Sequence, residues 1–513
     1  MNTGNNMRMK GSSPAQWLIV LLAIFILRGS ASAQTITLKA AQVSGVTGQW
    51  GSVSFGQTIT DPIVTAGPLG YADTQPAGVR VRNVTATGFE VQAQEWDSQD
   101  GVHGAEQLSY VAIARGRYTL GNGKVVLAAS TSVTGGAFQV KTFSQPFATV
   151  PVMIATVVTQ NEVSAVGIQM QSVTTSGFQI RLREQEANAQ AHVAETVHYL
   201  AWEPGSGTVN GLRYEVGSHG VNDLSTPQWF AAAFVGTPVF PLFLSAAQTT
   251  VGEEAYSIRQ TVLTRARAEE KLQEDDSFDT ESQHALETVG YVVLGTPGPP
   301  GGGKDAVFVA MGDSITFGFG DDIPSDDFQD GTLPPAGYPP LLTNRFASQR
   351  GKSVLILNEG VPGDRSSDGL GDVANIVNSY SLAHYVLLLY GANDVAFNVA
   401  SGVGKSPGQA GYLGSFKGNM QQLIDAIRNA GKIPVLAKVL YQTNPNVDAR
   451  IQLYNQVINE LIVANRLTVT PPDFYNFFKT NPSQLGDGLH PNGVGYQSMS
   501  PLWYNSLVGV VFP

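Results

Sequence analysis

The sequence predicts a multidomain protein: all-β tandem sandwich-like repeats followed by an α/β domain with a mostly parallel sheet. Three observations predict it. Residues 35 to about 295 carry short runs in which Val, Thr, Phe and Ile alternate with polar residues, punctuated by Gly, Pro, Asn and Asp. A motif recurs within that region at shifts of 89 and 92 residues. From Ala306 onward, apolar strand-like runs alternate with helical patterns. A chain of 513 residues is too long for one core, and 42% hydrophobic with 14% charged residues excludes wholesale disorder.

The N-terminus reads as a secretory signal over residues 1–33. Arg8 and Lys10 precede the apolar run Trp17 to Leu27, and Ala31-Ser32-Ala33 offers a cleavage site before Gln34. That run has 11 residues, whereas crossing a bilayer takes roughly 20, so no stable membrane anchor is expected. The expected address is secreted or periplasmic. Cysteine is absent, so no disulfide supports the fold. The formal net charge is -11 and no basic patch stands out, which excludes the electrostatics of nucleic-acid binding.

Three β-sandwich repeats are expected, over 34–125, 126–208 and 209–295. Val84 to Phe89 (VTATGF) returns as Val173 to Phe178 (VTTSGF). A second signature of His, Glu, Leu or Val, and Tyr occurs as His103, Glu106, Leu108, Tyr110, then His192, Glu195, Val197, Tyr199, then His284, Glu287, Val289, Tyr291. Three of the seven histidines fall in this pattern, which argues against coincidence. Units of this length exceed solenoid repeats and suit small sandwiches. The signature admits two readings: a structural hydrogen bond in each unit, or a metal or sugar contact. In a regular strand, residues three apart face opposite sides, and each repeat offers about two ligands where zinc needs three or four, so the structural reading is preferred and no metal is assigned. In the third unit, Ala266 to Asp276 (ARAEEKLQEDD) reads as a helical turn or exposed loop. Phe55 with Pro62, Phe143 with Pro151, the Gly-Phe steps and the aromatic closing strands resemble H-type lectin domains. That resemblance implies a six-stranded sugar-binding sandwich, often trimeric, and suggests three repeats arranged as an internal pseudo-trimer. The closing tryptophan pattern of that family is not kept.

Residues 296–304 form a Pro/Gly linker, stiff at first and then loose. The domain over 305–513 has strand patterns at Ala306 to Ala310, Ser353 to Leu357, His384 to Tyr390 and Ile433 to Leu440. Helical patterns lie between and after them, at Pro340 to Arg350, Leu370 to Asn378, Phe416 to Ala430 and Asp448 to Ala464. Sites in such sheets form at the carboxyl ends of strands. There the sequence places Gly312-Asp313-Ser314-Ile315-Thr316, Asn358 to Asp364, and Gly391-Ala392-Asn393-Asp394, with Asp487 and His490 near the C-terminus.

This set suffices for acyl transfer. A serine hydroxyl is a weak nucleophile and needs a base, which His490 supplies for Ser314 while Asp487 orients the ring. The backbone N–H groups of Ser314 and Gly363 and the Asn393 amide are the candidate oxyanion donors. Asp394 is read as a structural turn residue. These four blocks, in order over about 210 residues, resemble the SGNH/GDSL hydrolase family. The resemblance implies a flavodoxin-like three-layer fold, ester hydrolysis through an acyl-enzyme, and no metal or other cofactor. Gly404-Lys405-Ser406-Pro407-Gly408 also fits a nucleophile pattern, but Pro407 lacks the N–H an oxyanion needs, and Val399 stands where a phosphate loop begins with glycine.

The expected activity is carboxylic ester hydrolysis, with a small acyl group on a carbohydrate as the leading substrate. A lipase-like short-chain esterase, or an adhesive sugar-binding protein with an inactive hydrolase domain, are the alternatives. The sequence leaves the oligomeric state open. The acidic stretch Asp321 to Pro340 reads equally as a wall of the cleft or as a solvated loop.

Overall fold

A computed structural model describes residues 36–512 except 189, 235–240, 279–282, 297, 299–300 and 324–336. The expected signal, parts of the linker and most of the Asp321 to Pro340 stretch therefore lie outside the described residues. Among the described residues, no helix is long and apolar enough to cross a membrane.

Each β-unit packs two antiparallel sheets face to face: an inner sheet, of three strands in the first unit and four in the others, against a three-stranded outer one. In the first unit, Leu38–Val46, Glu106–Ala114 and Pro62–Ala66 face Gly51–Ser54, Gly88–Glu95 and Ala77–Thr85. The second unit has Val152–Val157, Glu195–Trp202, Val125–Val133 and Gly116–Thr119 against Val166–Gln171, Gly177–Glu184 and Gln139–Thr142. The third has Gly205–Val209, Leu212–Val221, Glu287–Gly295 and Leu242–Ala247 against Thr226–Trp229, Arg267–Glu274 and Tyr256–Leu263. The repeated Phe and Tyr meet inside these units. Phe89 packs 5.1 Å from Tyr110, and Phe178 packs 5.3 Å from Tyr199, both edge-on.

The three units close into a ring. The Val64 N–H donates to Nδ1 of His198 at 3.0 Å, joining the first unit to the second. The Met153 N–H donates to Gln248 at 2.8 Å, joining the second to the third. The Phe243 N–H donates to the Ser109 hydroxyl at 3.2 Å, returning to the first. At the centre, one apolar cluster draws on all three, including Ile63, Val111, Trp202, Tyr214, Leu244 and Val292. The face that each inner sheet turns away from its own sandwich is thus buried on its neighbours, and the units share one core.

Two expectations need correction. Ala266 to Asp276 is neither a helical turn nor an exposed loop up to its last residue: Arg267–Glu274 is the central strand of its sheet, with Arg267 and Glu270 fully buried. Its charges obscured the strand because they are paired inside the protein. The unit boundaries also move. Gly116–Thr119 pairs with Val125–Val133 in the second unit's sheet, and Gly205–Val209 pairs with Leu212–Val221 in the third, so these units start near 116 and 205 rather than 126 and 209.

Beyond the linker, four parallel strands are ordered Val354–Gly360, Ala306–Gly312, Tyr385–Leu389, Ile433–Leu436. Alternate residues of the central strand feed two cores. Val307, Val309 and Met311 pack on the side of helices Ser366–Ser379, Phe416–Asn429 and Pro445–Asn465. Ala306, Phe308 and Ala310 pack on the side of Tyr338–Arg350 and Gly493–Val511. The result is a three-layer α/β domain whose first strand is flanked by the second and third.

His198 is buried and accepts a backbone hydrogen bond, and burial, aided by Arg115, pushes its pKa down to about 4. In the unfolded chain an imidazole titrates near ~6.5. Stability is therefore expected to be full above about pH 6.5 and to fall by roughly 3 kcal/mol as pH drops to about 4, because only the unfolded state binds the proton there. Denaturation midpoints between pH 7 and 4, with His198→Asn as the comparison, measure this; equal slopes in both proteins would refute it.

Candidate active site

The candidate nucleophile, Ser314, sits where the first strand of the α/β domain meets a one-turn helix, Ser314–Phe317. Asp313 caps that turn, its carboxylate accepting the Ile315 N–H at 3.0 Å. Asp313 is buried, and burial together with the nearby Asp394 carboxylate raises its pKa to about 7. Gly312 has no alternative: a Cβ there would run into the Thr316 hydroxyl and the Leu389 carbonyl. The tight packing holds the turn against the neighbouring strand.

Ser314 Oγ lies 2.8 Å from His490 Nε2. His490 Nδ1 lies 2.6 Å from Asp487 Oδ2, and Asp487 Oδ1 accepts the N–H groups of His490 (2.7 Å) and Leu489 (2.9 Å). Burial alone would raise the Asp487 carboxyl; the His490 ring and the two N–H donors outweigh it and hold the pKa at about 2. The loop carrying this pair is anchored by the Thr443 N–H on the Gly488 carbonyl at 2.9 Å. An ionised carboxylate, an imidazole and a hydroxyl in this order can move a proton from the serine to a leaving group.

The two strands beside Ala306–Gly312 deliver the oxyanion candidates. Gly363 follows Val354–Gly360 at φ 91°, in the left-handed region that glycine adopts freely. Asn393 follows Tyr385–Leu389, in the short helix Ala392–Ala396. Its side-chain amide donates to the Asp364 carbonyl at 2.9 Å, which ties it to the loop holding Gly363. An amide nitrogen carries two hydrogens, so that bond does not exhaust it. Asp394 is fully buried and accepts from the Ser366 N–H (2.9 Å) and hydroxyl (2.5 Å), joining the two loops.

The structure does not bring the repeated His and Glu to this site. Each His packs with its Glu inside the β-units, contrary to the expectation that they face apart, because the His precedes the strand rather than lying in it. His103 Nδ1 is 3.1 Å from Glu95 and its Nε2 is 3.5 Å from Glu106. His192 and His284 repeat this with Glu184 and Glu195, and with Glu274 and Glu287. The same glutamates link the units: Glu106 takes Arg259 at 2.8 Å and Glu195 takes Arg80 at 2.7 Å, each from a neighbouring unit. The corresponding third position is Gln169, bonded instead to the Glu254 carbonyl at 2.7 Å. Glu162, Glu184 and His192, and likewise Glu254, Glu274 and His284, bring ligand-type atoms within 4.8 Å of one another.

One site residue was missed from the sequence. Phe319 is 52% exposed, and its ring lies 4.7 Å from the His490 ring. Tyr496 fixes its backbone through a hydrogen bond to the Phe319 carbonyl at 2.9 Å. The only signal was an aromatic residue five positions after the nucleophile.

Residues 310–498 match the model of the GDSL-like Lipase/Acylhydrolase family. The C-terminal part of the chain is accordingly a GDSL-like acylhydrolase domain, a carboxylic ester hydrolase by class. Among solved structures, 40% of the chain is similar to 97% of the psychrotrophic esterase EstA from Pseudoalteromonas sp., at 15% identity and a TM-score of 0.31. The lipase/acylhydrolase from Enterococcus faecalis is 24% identical, with 40% of this chain and 96% of that one covered and a TM-score of 0.30. Axe2, an acetylxylan esterase from Geobacillus stearothermophilus, is 17% identical over 40% of this chain and 94% of its own, with a TM-score of 0.31. Among curated proteins, Halomucin of Haloquadratum walsbyi is 28% identical over 254 residues, which is 47% of this chain and 3% of that protein. The chain thus spans a small part of that relative's length.

The Asp487–His490 pair yields a direct expectation. Its stabilisation is present above the ordinary carboxylate value of ~3.9 and is lost as pH falls through about 2. In His490→Ala, the Asp487 carboxyl is expected by NMR to titrate above about 2, since the ring is lost while the two backbone N–H donors remain. Asp487→Asn is expected to lower kcat about 100-fold or more. An unchanged Asp487 midpoint in the alanine variant would contradict the pairing.

Proposed function

We propose that this chain is an exported serine esterase that removes small acyl groups from carbohydrate through an acyl-enzyme on Ser314. The observation that carries the reading is the contact of Ser314 Oγ with His490 Nε2 at 2.8 Å, backed by Asp487. Ser314 attacks the acyl carbonyl while His490 takes its proton. The carbonyl oxygen becomes an oxyanion facing Ser314, Gly363 and Asn393. The intermediate collapses, His490 returns the proton to the departing alcohol, and the acyl group stays on Ser314. Water then attacks with His490 as base, releasing the carboxylic acid and restoring the serine.

Two features support the substrate. Phe319 stands beside His490, hence on the side where the alcohol leaves, and an exposed aromatic face suits the C–H face of a sugar ring. The β-units, which resemble H-type lectin domains, are joined to the esterase in one chain. The signal-like stretch over 1–33 supports export.

Hydrolysis of p-nitrophenyl acetate, butyrate and octanoate by residues 34–513 tests the reaction. Activity on acetate is expected to exceed that on octanoate and to fall to the background of Ser314→Ala. Equal rates for the two proteins would leave the β-units as the seat of function, and a preference for octanoate would favour a lipase-like enzyme. Phe319→Ala is expected to raise KM for acetylated xylo-oligosaccharides several-fold, by ~1 kcal/mol of lost stacking, while sparing p-nitrophenyl acetate. Equal effects on both substrates would remove the sugar contact.

A further inference from the structure

The third β-unit docks into the esterase core. Ala233 and Ala266 belong to the same apolar cluster as Val309, Met311 and Leu388 of the parallel sheet, and Trp229 packs against it. The strand that follows Ala266 opens with Arg267, fully buried, its guanidinium 4.8 Å from the Trp229 ring.

Arg267 reaches two elements of the other domain at once. Its Nη1 lies 2.5 Å from Asp372 in helix Ser366–Ser379. Its Nε lies 3.5 Å from Glu359 in strand Val354–Gly360. Within its own strand it pairs with Glu269 at 3.1 Å. The loop joining that strand to that helix contains Gly363 and Asp364. Asp364 in turn holds the Asn393 amide through its carbonyl. One cation from the β-unit therefore grips the strand and the helix on either side of the loop that carries Gly363 and that holds Asn393 through the Asp364 carbonyl.

We propose that Arg267 is a positioning residue for ester hydrolysis, clamping the oxyanion loop from the β-unit, so that the third repeat is an integral part of the active enzyme. This rests on the esterase reading above. The charge balance explains why a cation is needed. Glu269, Glu359, Asp364 and Asp372 surround the position, with Tyr380 bonded to Glu359 and Tyr390 nearby. Burial raises the carboxyls of Glu359 to about 7 and Asp364 to about 8, and Arg267 is the leading influence opposing both shifts. Without the guanidinium, Glu359 and Asp364 shift further toward the protonated form while Glu269 and Asp372 lose the cation that faces them, and either change releases the strand and helix that frame Gly363. Small displacements of an oxyanion donor are costly because the donor must meet the charge as it forms.

The test uses the full chain with Arg267→Met, Arg267→Lys and Asp372→Asn. kcat and KM for p-nitrophenyl acetate and the rate of Ser314 phosphonylation by a fluorophosphonate are measured beside thermal unfolding. In Arg267→Met, kcat and phosphonylation are expected to fall together by about tenfold or more, a fraction of the ~10²–10³ that loss of an oxyanion donor costs, with KM changed less than about threefold. Arg267→Lys is expected to recover part of both rates, and Asp372→Asn to show the same split at smaller size. Should Arg267→Met fail to fold, Asp372→Asn decides. A folded variant with unchanged kcat and phosphonylation, or a loss confined to KM or melting temperature, overturns the clamp while the esterase stands. Absence of Ser314-dependent hydrolysis in the unaltered protein overturns both.

Discussion

A serine hydroxyl does not ionise near neutral pH, so everything in the C-terminal domain depends on holding one imidazole nitrogen against Ser314 Oγ. The two residues are 176 positions apart and meet at 2.8 Å. The parallel sheet makes this feasible by bringing three strand ends to one edge, with the nucleophile strand between the two that supply Gly363 and Asn393. The His490 loop is added from outside the sheet and fixed by its own hydrogen bonds, with Asp487 satisfying two N–H groups and the ring at once. Asp394 and Ser366 then lock the two oxyanion loops to each other.

The β-region solves a different problem. Each sandwich leaves one apolar sheet face outside its own core, and a ring of three buries those faces together. The desolvated charges follow from that closure. Arg80 and Arg259 cross between units to glutamates that also hold a histidine and backbone N–H groups, so each carboxylate is multiply satisfied. Gln169 breaks the threefold pattern, and the acidic cluster of the third unit has no guanidinium from that position. The third unit is also the one that meets the esterase, through Trp229, Ala233, Ala266 and Arg267. The divergence of this repeat thus coincides with its second task.

Much of this was legible in the sequence. Ser314, Gly363 and Asn393 stood out because a strand followed by Gly, Asn or Asp is a local signal, and Asp487 with His490 because their spacing of three is one as well; local signals survive without tertiary knowledge. The repeats were visible through the Phe and Tyr of their cores. What escaped has a common physical cause: it depends on a partner far away in the chain. The strand Arg267–Glu274 looked solvated because its charges are paired inside the fold, Arg267 with Asp372 of the esterase domain and Glu270 with His219 of its own unit. The His and Glu of each repeat looked divergent because a regular strand was assumed through the histidine. Phe319 carries no pattern beyond its spacing, and only the fold sets it beside His490.

The proposed reaction passes through a covalent intermediate on one serine. Turnover of p-nitrophenyl acetate, quenched in acid and followed by peptide mass mapping, tests it most directly. The account predicts a single acetyl group on the peptide containing Ser314, lost on standing at neutral pH as water completes the reaction. No adduct under conditions of rapid turnover, or an adduct on another residue such as Ser406, would contradict it.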